Sequence, residues 1–316
     1  MQPRIRATSL TRQLVEFGRT IRFSHTLFAL PFALGTALVA DSPCPDATSL
    51  ALLLACMVAA RTAGMGMNRV ADAAIDARNP RTADRAIPAG RLSRRATLAI
   101  SLTSGAAFVA LAWGFFVWRR NAWPGILAPA FLAILYGYSW TKRVTALSHW
   151  ALGLCLGLAP VGVWIALRGE ISLWPVLIGA AVMLWTAGFD ILYALQDQEV
   201  DRREGLHSIP ARWGRQVAVR LAAACHLFMW VLLALALPQV MAFVETLMQG
   251  DFGRSRGAAG GASLAALALI GGVLLVQHMR FRRATPEQIN AAFFRMNVLV
   301  SMIWLAGVVI DVLVLA

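Results

Sequence analysis

Three oxygen-bearing side chains, Asn68, Asp72 and Asp76, recur every four residues directly after the apolar run Leu50 to Ala60. A helix through this stretch places all three on one face. Two carboxylates and an amide stacked in this way repel one another unless a cation lies between them. Hard oxygen ligands suit Mg2+, which is held by one or two carboxylates together with substrate phosphates. A second group follows at Asp190, Tyr193, Asp197 and Asp201, spaced 3, 4 and 4, which also predicts a single helical face. Each group precedes a basic segment bounded by helix breakers. Asn79-Pro80 and Pro88-Ala89-Gly90 bracket Arg81 and Arg85; Gly205, Pro210 and Gly214 surround Arg212.

Acids at a membrane helix are costly and are by default functional. Two groups in register exceed what anchoring nearby arginines requires, and they point to diphosphate chemistry. A diphosphate is repelled by acids alone; Mg2+ reverses that sign, and Arg or Lys can take the remaining oxygens. Metal and cations then stabilise diphosphate as a leaving group. An apolar cavity would keep water from an allylic cation left behind.

The elements that must position these groups follow from composition. The 316 residues are 59% hydrophobic and 14% charged, too apolar for a soluble enzyme of this length. Apolar windows of about 18 residues or more recur along the chain. They predict an all-α integral membrane protein with nine transmembrane helices, at 23–41, 50–68, 96–118, 123–140, 147–167, 173–194, 217–237, 262–279 and 294–315. No polar stretch is long enough to fold separately, so 1–316 reads as a single domain.

The net charge of +13 is a matter of topology. Nine spans put 24 of the 29 Lys and Arg on the side of the N-terminus and leave Arg119, Arg120, Arg168, Arg254 and Arg256 on the other. The positive-inside rule then makes the N-terminus cytoplasmic and the C-terminus external, in a multi-pass protein of the cell inner (plasma) membrane. Membrane lipid, with anionic head groups, is the expected partner of the basic excess, and nucleic acid is not.

Cys44, Cys56, Cys155 and Cys225 are scattered without CxxC spacing, which supports neither a disulfide framework nor a zinc site. Breakers at both ends predict a shaped loop after Arg78. His25 reads as an interfacial histidine. The outer connection 238–262 reads as a mobile loop with a short interfacial helix over Val240 to Met248, and Asp311 has no evident role.

The two acidic groups resemble the paired aspartate-rich motifs of the UbiA superfamily of intramembrane aromatic prenyltransferases. His25-Thr26-Leu27-Phe28-Ala29-Leu30-Pro31-Phe32, Arg81-Thr82, Arg85-Ala86-Ile87-Pro88-Ala89-Gly90 and Lys142-Arg143-x-Thr145 carry the same resemblance. One departure stands out: Arg69 replaces an aspartate of the commonest first motif. The 4-hydroxybenzoate polyprenyltransferase branch is the most similar. Asn79-Pro80-Arg81-Thr82 and Glu204 to Arg212 also resemble a sister group that prenylates 1,4-dihydroxy-6-naphthoate for menaquinone.

The resemblance implies a U-shaped helical bundle with cytoplasmic cap loops, and Mg2+-dependent transfer from a polyprenyl diphosphate to an aromatic carboxylic acid. It assigns Asp72, Asp76, Asp197 and Asp201 to the metal, with Asn68 and Asp190 in support. Lys142 and Arg143, with Arg85, would hold the diphosphate, and Tyr193 would steady the prenyl cation through its ring face. Arg22 or Arg69 is the candidate partner of the acceptor carboxylate. A proton-coupled carrier is the competing class, but it would place its acids near the membrane midplane rather than at span ends.

Overall fold

The computed structural model describes residues 16–18, 28–237, 260–281 and 285–313. Among the described residues the regular structure is entirely helical. The elements are α1 Leu30–Ala40, α2 Ala47–Arg78, α3 Arg94–Arg119, α4 Trp123–Thr141, α5 Ser148–Arg168 and α6 Leu173–Ala194, then a 3₁₀ turn, Leu195–Asp197. They continue with α7 Gln198–Arg203, α8 Ile209–Leu235, α9 Gly261–Phe281 and α10 Pro286–Leu313. Among the described residues seven stretches are long and apolar enough to cross a membrane: Ala47–Arg78, Arg94–Arg119, Ser148–Arg168, Leu173–Arg203, Ile209–Leu235, Gly261–Phe281 and Phe293–Leu313. α1 has only 11 residues, short of the roughly 20 a span needs. α4 is outside the seven, with Pro124, Gly125 and Pro129 near its start and Tyr136 to Trp140 at its end. Part of the first predicted span, His25, Arg22 and most of the connection 238–262 lie outside the described residues.

The described residues gather into two compact units. The first holds 16–18, 47–148 and 197–207; the second holds 28–46, 149–196, 208–237, 260–281 and 285–313.

In the first unit α2 runs on ten residues past the predicted span end, unbroken to Arg78, where Asn79-Pro80 stops it. The Ser101 hydroxyl of α3 donates to the Ala63 carbonyl of α2 at 2.6 Å, and Tyr136 of α4 donates to the Ser101 carbonyl at 2.8 Å. The segment between α2 and α3 is shaped, as its breakers predict. Backbone bonds Thr82 to Asn79, Arg85 to Thr82, Ala89 to Arg85 and Leu92 to Ala86 wind it into successive turns. Gly90 takes the left-handed φ of 71° that one of those turns requires. Ala86 and Leu92 pack under it against Phe17.

In the second unit an aromatic core joins Phe28, Phe32, Trp185, Phe189, Phe293 and Trp304. α8 begins at Ile209, eight residues before the predicted span, with Pro210 in its first turn and a kink at Gly214. Asp311 has a structural role after all. Its carboxylate accepts the Ala262 and Ser263 amides at 3.1 and 2.9 Å, closing the N-terminus of α9.

Candidate functional site

The end of α2 carries the first acidic group on one helical face, as its spacing predicts. Asn68 Nδ2 donates to Asp72 Oδ2 at 3.2 Å, one turn along. Lys142, just past α4, donates to the same oxygen at 2.8 Å. Asp72 is 4% exposed, and its other oxygen, Oδ1, is buried with no hydrogen-bond partner. Asp76, also buried, receives Arg85 Nη1 on both oxygens at 2.7 and 2.9 Å and Arg69 Nη1 at 3.5 Å. Arg69 also donates to the Asn68 side-chain oxygen. Arg69 is therefore committed to the acidic cluster. Arg143 donates to the Ala71 carbonyl, beside Asp72.

The second acidic group does not lie on one uninterrupted helix, as its spacing would predict. α6 ends at Ala194 and the chain tightens into the 3₁₀ turn Leu195–Asp197 before α7. A 3₁₀ turn has three residues per turn instead of 3.6, so side-chain directions shift across it. The group is thus divided between the two units. Asp197 and Asp201 lie in the first, Asp190 and Tyr193 in the second.

In the first unit Asp197 accepts Asn79 Nδ2 at 2.8 Å, Arg81 Nε at 2.9 Å and Arg81 Nη2. Asp201 is half-buried on α7, and its carbonyl closes the following turn with the Leu206 amide at 2.8 Å. Arg78 pairs with Glu204 at 2.6 Å, and the His207 amide donates to the Lys142 carbonyl at 2.8 Å. The segment 197–207 is thereby fastened to the end of α2 and to the turn after α4. Asp72, Asp76, Asp197, Asp201, Asn68, Arg85, Lys142 and Arg143 all belong to this one unit.

In the second unit His149 Nδ1 donates to Asp190 Oδ2 at 2.7 Å, while its Nε2 accepts the Ile209 amide at 3.3 Å. The amide fixes the tautomer, leaving the Nδ1 proton for Asp190. The Tyr193 ring packs at 4.4 Å from that of Phe293.

Sequence reasoning missed the roles of Asn79 and Arg81 toward Asp197 and of His149 toward Asp190. A histidine set inside an apolar span was the available signal for the last. It also passed over Arg61, eleven residues before Asp72 and on the same side of α2.

Among the described residues no three His, Cys, Asp or Glu side chains converge closely enough to hold a metal ion. The acids are held by the protein's own cations instead. The donor set nonetheless fits a hard divalent ion. It is all oxygen, and Asp72 Oδ1 is a buried acceptor in need of a cation.

The helical chain thus gathers paired carboxylates and cationic groups at the end of its long helix α2. The chain belongs to the UbiA prenyltransferase family, whose sequence profile matches residues 29–299, and it is an enzyme that transfers prenyl groups. A 4-hydroxybenzoate octaprenyltransferase of Tolumonas auensis is 30% identical over 198 residues, 62% of this chain and 67% of the relative. The apo structure of a UbiA homolog from Aeropyrum pernix K1 is 32% identical, with a TM-score of 0.74 over 92% of this chain and 98% of that one. A UbiA homolog from Archaeoglobus fulgidus bound to GPP and Mg2+ is 19% identical, with a TM-score of 0.65 over 93% and 99% of the two chains, a likeness of fold. Family membership sets the carrier reading aside.

Proposed function

We propose that the enzyme transfers a polyprenyl group from polyprenyl diphosphate to the ring of 4-hydroxybenzoate, with Mg2+, in ubiquinone-type quinone biosynthesis. One observation carries the reading. In a single compact unit Asp72, Asp76 and Asp197 are matched by Lys142, Arg85 and Arg81, and Asp72 keeps one buried oxygen unsatisfied. The relative in Tolumonas auensis supports the acceptor, and the homolog from Archaeoglobus fulgidus supports the metal.

In this reading Asp72, Asp76, Asp197 and Asp201 would hold Mg2+, with Asn68 in support. When bound, Mg2+ neutralises the charge that builds on the departing diphosphate. Lys142, Arg143 and Arg85 bind its remaining oxygens as charge-assisted donors. Lys142 already lies 2.8 Å from Asp72, so a rotation about its flexible stem passes it from carboxylate to phosphate. Tyr193 offers a ring face to the developing allylic cation. The ring carbon ortho to the phenolic hydroxyl takes the prenyl group and then gives up its proton to a base.

With Arg69 engaged by Asn68 and Asp76, we assign the acceptor carboxylate to Arg61, about 16 Å along α2 from Asp72 at 1.5 Å per residue. Arg61→Ala is expected to raise KM for 4-hydroxybenzoate about tenfold, leaving KM for the prenyl diphosphate unchanged, as loss of one charged hydrogen bond predicts. Steady-state kinetics with each substrate varied in turn decide it.

The nine-span topology, the U-shaped bundle with cytoplasmic cap loops, a single domain over 1–316, a cytoplasmic N-terminus, an external C-terminus and residence in the inner membrane complete the proposal. Purified protein in detergent, supplied with geranyl diphosphate and Mg2+, tests it against separate acceptors. Expected is a prenylated 4-hydroxybenzoate that disappears with EDTA. Preference for 1,4-dihydroxy-6-naphthoate would move the enzyme to menaquinone synthesis. No product from either acceptor would overturn the acceptor assignment.

A further inference from the structure

Resting on the metal and diphosphate reading, we propose that Arg81 is an exchange residue. Without substrate it blocks Asp197; when metal and diphosphate arrive together it passes from the carboxylate to the diphosphate.

Three donors occupy Asp197: Arg81 Nε, Arg81 Nη2 and Asn79 Nδ2. A carboxylate offers about four lone-pair sites, so little is left for a cation. Asp72 is different. Lys142 and Asn68 share its Oδ2, and Oδ1 stays buried and unsatisfied. Asp72 is half open to a metal, and Asp197 is closed.

Arg81 is placed to move. It lies in the wound segment between α2 and α3 rather than on a helix, and its side chain is 30% exposed against 16% for Asp197. The segment does not depend on Arg81 for its position. Arg78 pairs with Glu204, and Arg203 donates to the Arg78 carbonyl at 3.1 Å, so the two strands of chain stay fastened when Arg81 lets go.

The consequence is thermodynamic coupling. A metal ion alone must displace the arginine and leave it without a partner. A diphosphate alone must draw the arginine away and leave Asp197 bare, with the other cations still engaged by acids. Together, metal takes Asp197 and diphosphate takes Arg81, and every charge is paired. Each ligand therefore raises the affinity of the other by the same factor.

The test is Mn2+ binding followed by electron paramagnetic resonance on the full chain in detergent, with and without inorganic diphosphate, after subtracting a protein-free control. Inorganic diphosphate is expected to tighten Mn2+ binding to the wild type about tenfold or more, within the usual range of coupling. In Arg81→Gln, Mn2+ alone should bind about tenfold more tightly than to the wild type, and the effect of diphosphate should shrink. Arg202→Gln removes the same charge from a neighbouring exposed pair, Arg202 with Glu199, and should leave both quantities unchanged. Arg81→Gln with wild-type Mn2+ affinity and coupling would overturn the exchange while leaving the metal reading intact. An equal tightening in Arg202→Gln would also overturn it, reducing the effect to general charge. Absence of Mn2+ binding in every protein, with diphosphate or without, would overturn the metal reading and the exchange together.

Discussion

Asp72→Asn is expected to lower prenyl transfer by about 10²–10³-fold or more, the range for removing one charge-stabilising group from a reacting centre. The change is nearly isosteric, so packing around the buried side chain is preserved. It removes the negative charge from a buried carboxylate oxygen without a donor, Asp72 Oδ1, and turns one oxygen into an NH2. Lys142, 30% exposed, loses an ion pair but keeps access to water, so the loss of stability is modest. The two effects separate in measurement. Initial rates with saturating geranyl diphosphate report the chemistry, while size-exclusion behaviour in detergent reports the fold. Asp76→Asn is a harsher structural change, because Arg85 bridges both oxygens and Arg69 adds a third contact. A folded Asp72→Asn protein with activity within about tenfold of wild type would remove Asp72 from the metal set.

The contrast between the two acidic groups shows what a sequence can carry. Asn68, Asp72 and Asp76 were legible because α2 is one uninterrupted helix, and a four-residue spacing in a helix is a statement about space. The second group was visible as a run of acids, but its geometry was not. Its spacing of 3, 4 and 4 fits a helix as well as the first, yet the chain tightens at Leu195–Asp197 and divides the group between two units. No residue there is a glycine or proline, so nothing local announces the turn. Asp197 is instead drawn to Asn79 and Arg81, more than a hundred positions away. Long-range pairing of this kind leaves no periodic trace. Asp311 was opaque for a related reason: its partners are the amides of α9, and an acid that caps a distant helix looks like any buried acid. The seven apolar stretches were legible because hydrophobic length is additive along the chain. α4 was legible in the same way, its apolar run at 123–140 forming the helix Trp123–Thr141, while α1 takes up only Leu30–Ala40 of the run predicted at 23–41.

Gly157→Leu is expected to cost folding by about 3 kcal/mol or to prevent accumulation of folded protein altogether, the upper end for overpacking a rigid contact. Within the second unit, α5 and α6 meet backbone to backbone. A Cβ on Gly157 would fall on the Gly179 carbonyl oxygen, one on Gly179 would fall on the Gly157 carbonyl oxygen, and one on Gly153 would meet the Met183 carbonyl oxygen. Gly153 and Gly157 are four apart, the spacing that lets two helices in lipid approach closely enough for dispersion contacts to hold them together. Carbonyl oxygens cannot rotate away as a side-chain tip can, so relief requires moving whole helices. That movement would also disturb the contact between His149 of α5 and Asp190 of α6, held together at 2.7 Å. Gly162 supplies the control on the same helix: it is exposed, nothing lies within 4 Å of its Cβ position, and Gly162→Leu improves helix propensity. Folded yield after detergent extraction, and thermal stability of what is recovered, should therefore fall for Gly157→Leu and stay level or rise for Gly162→Leu. Equal behaviour of the two variants would mean that the glycine contact does not hold α5 against α6. In that case the bond between His149 and Asp190 is the next fastening to test, and His149→Ala should lower thermal stability more than Gly157→Leu does.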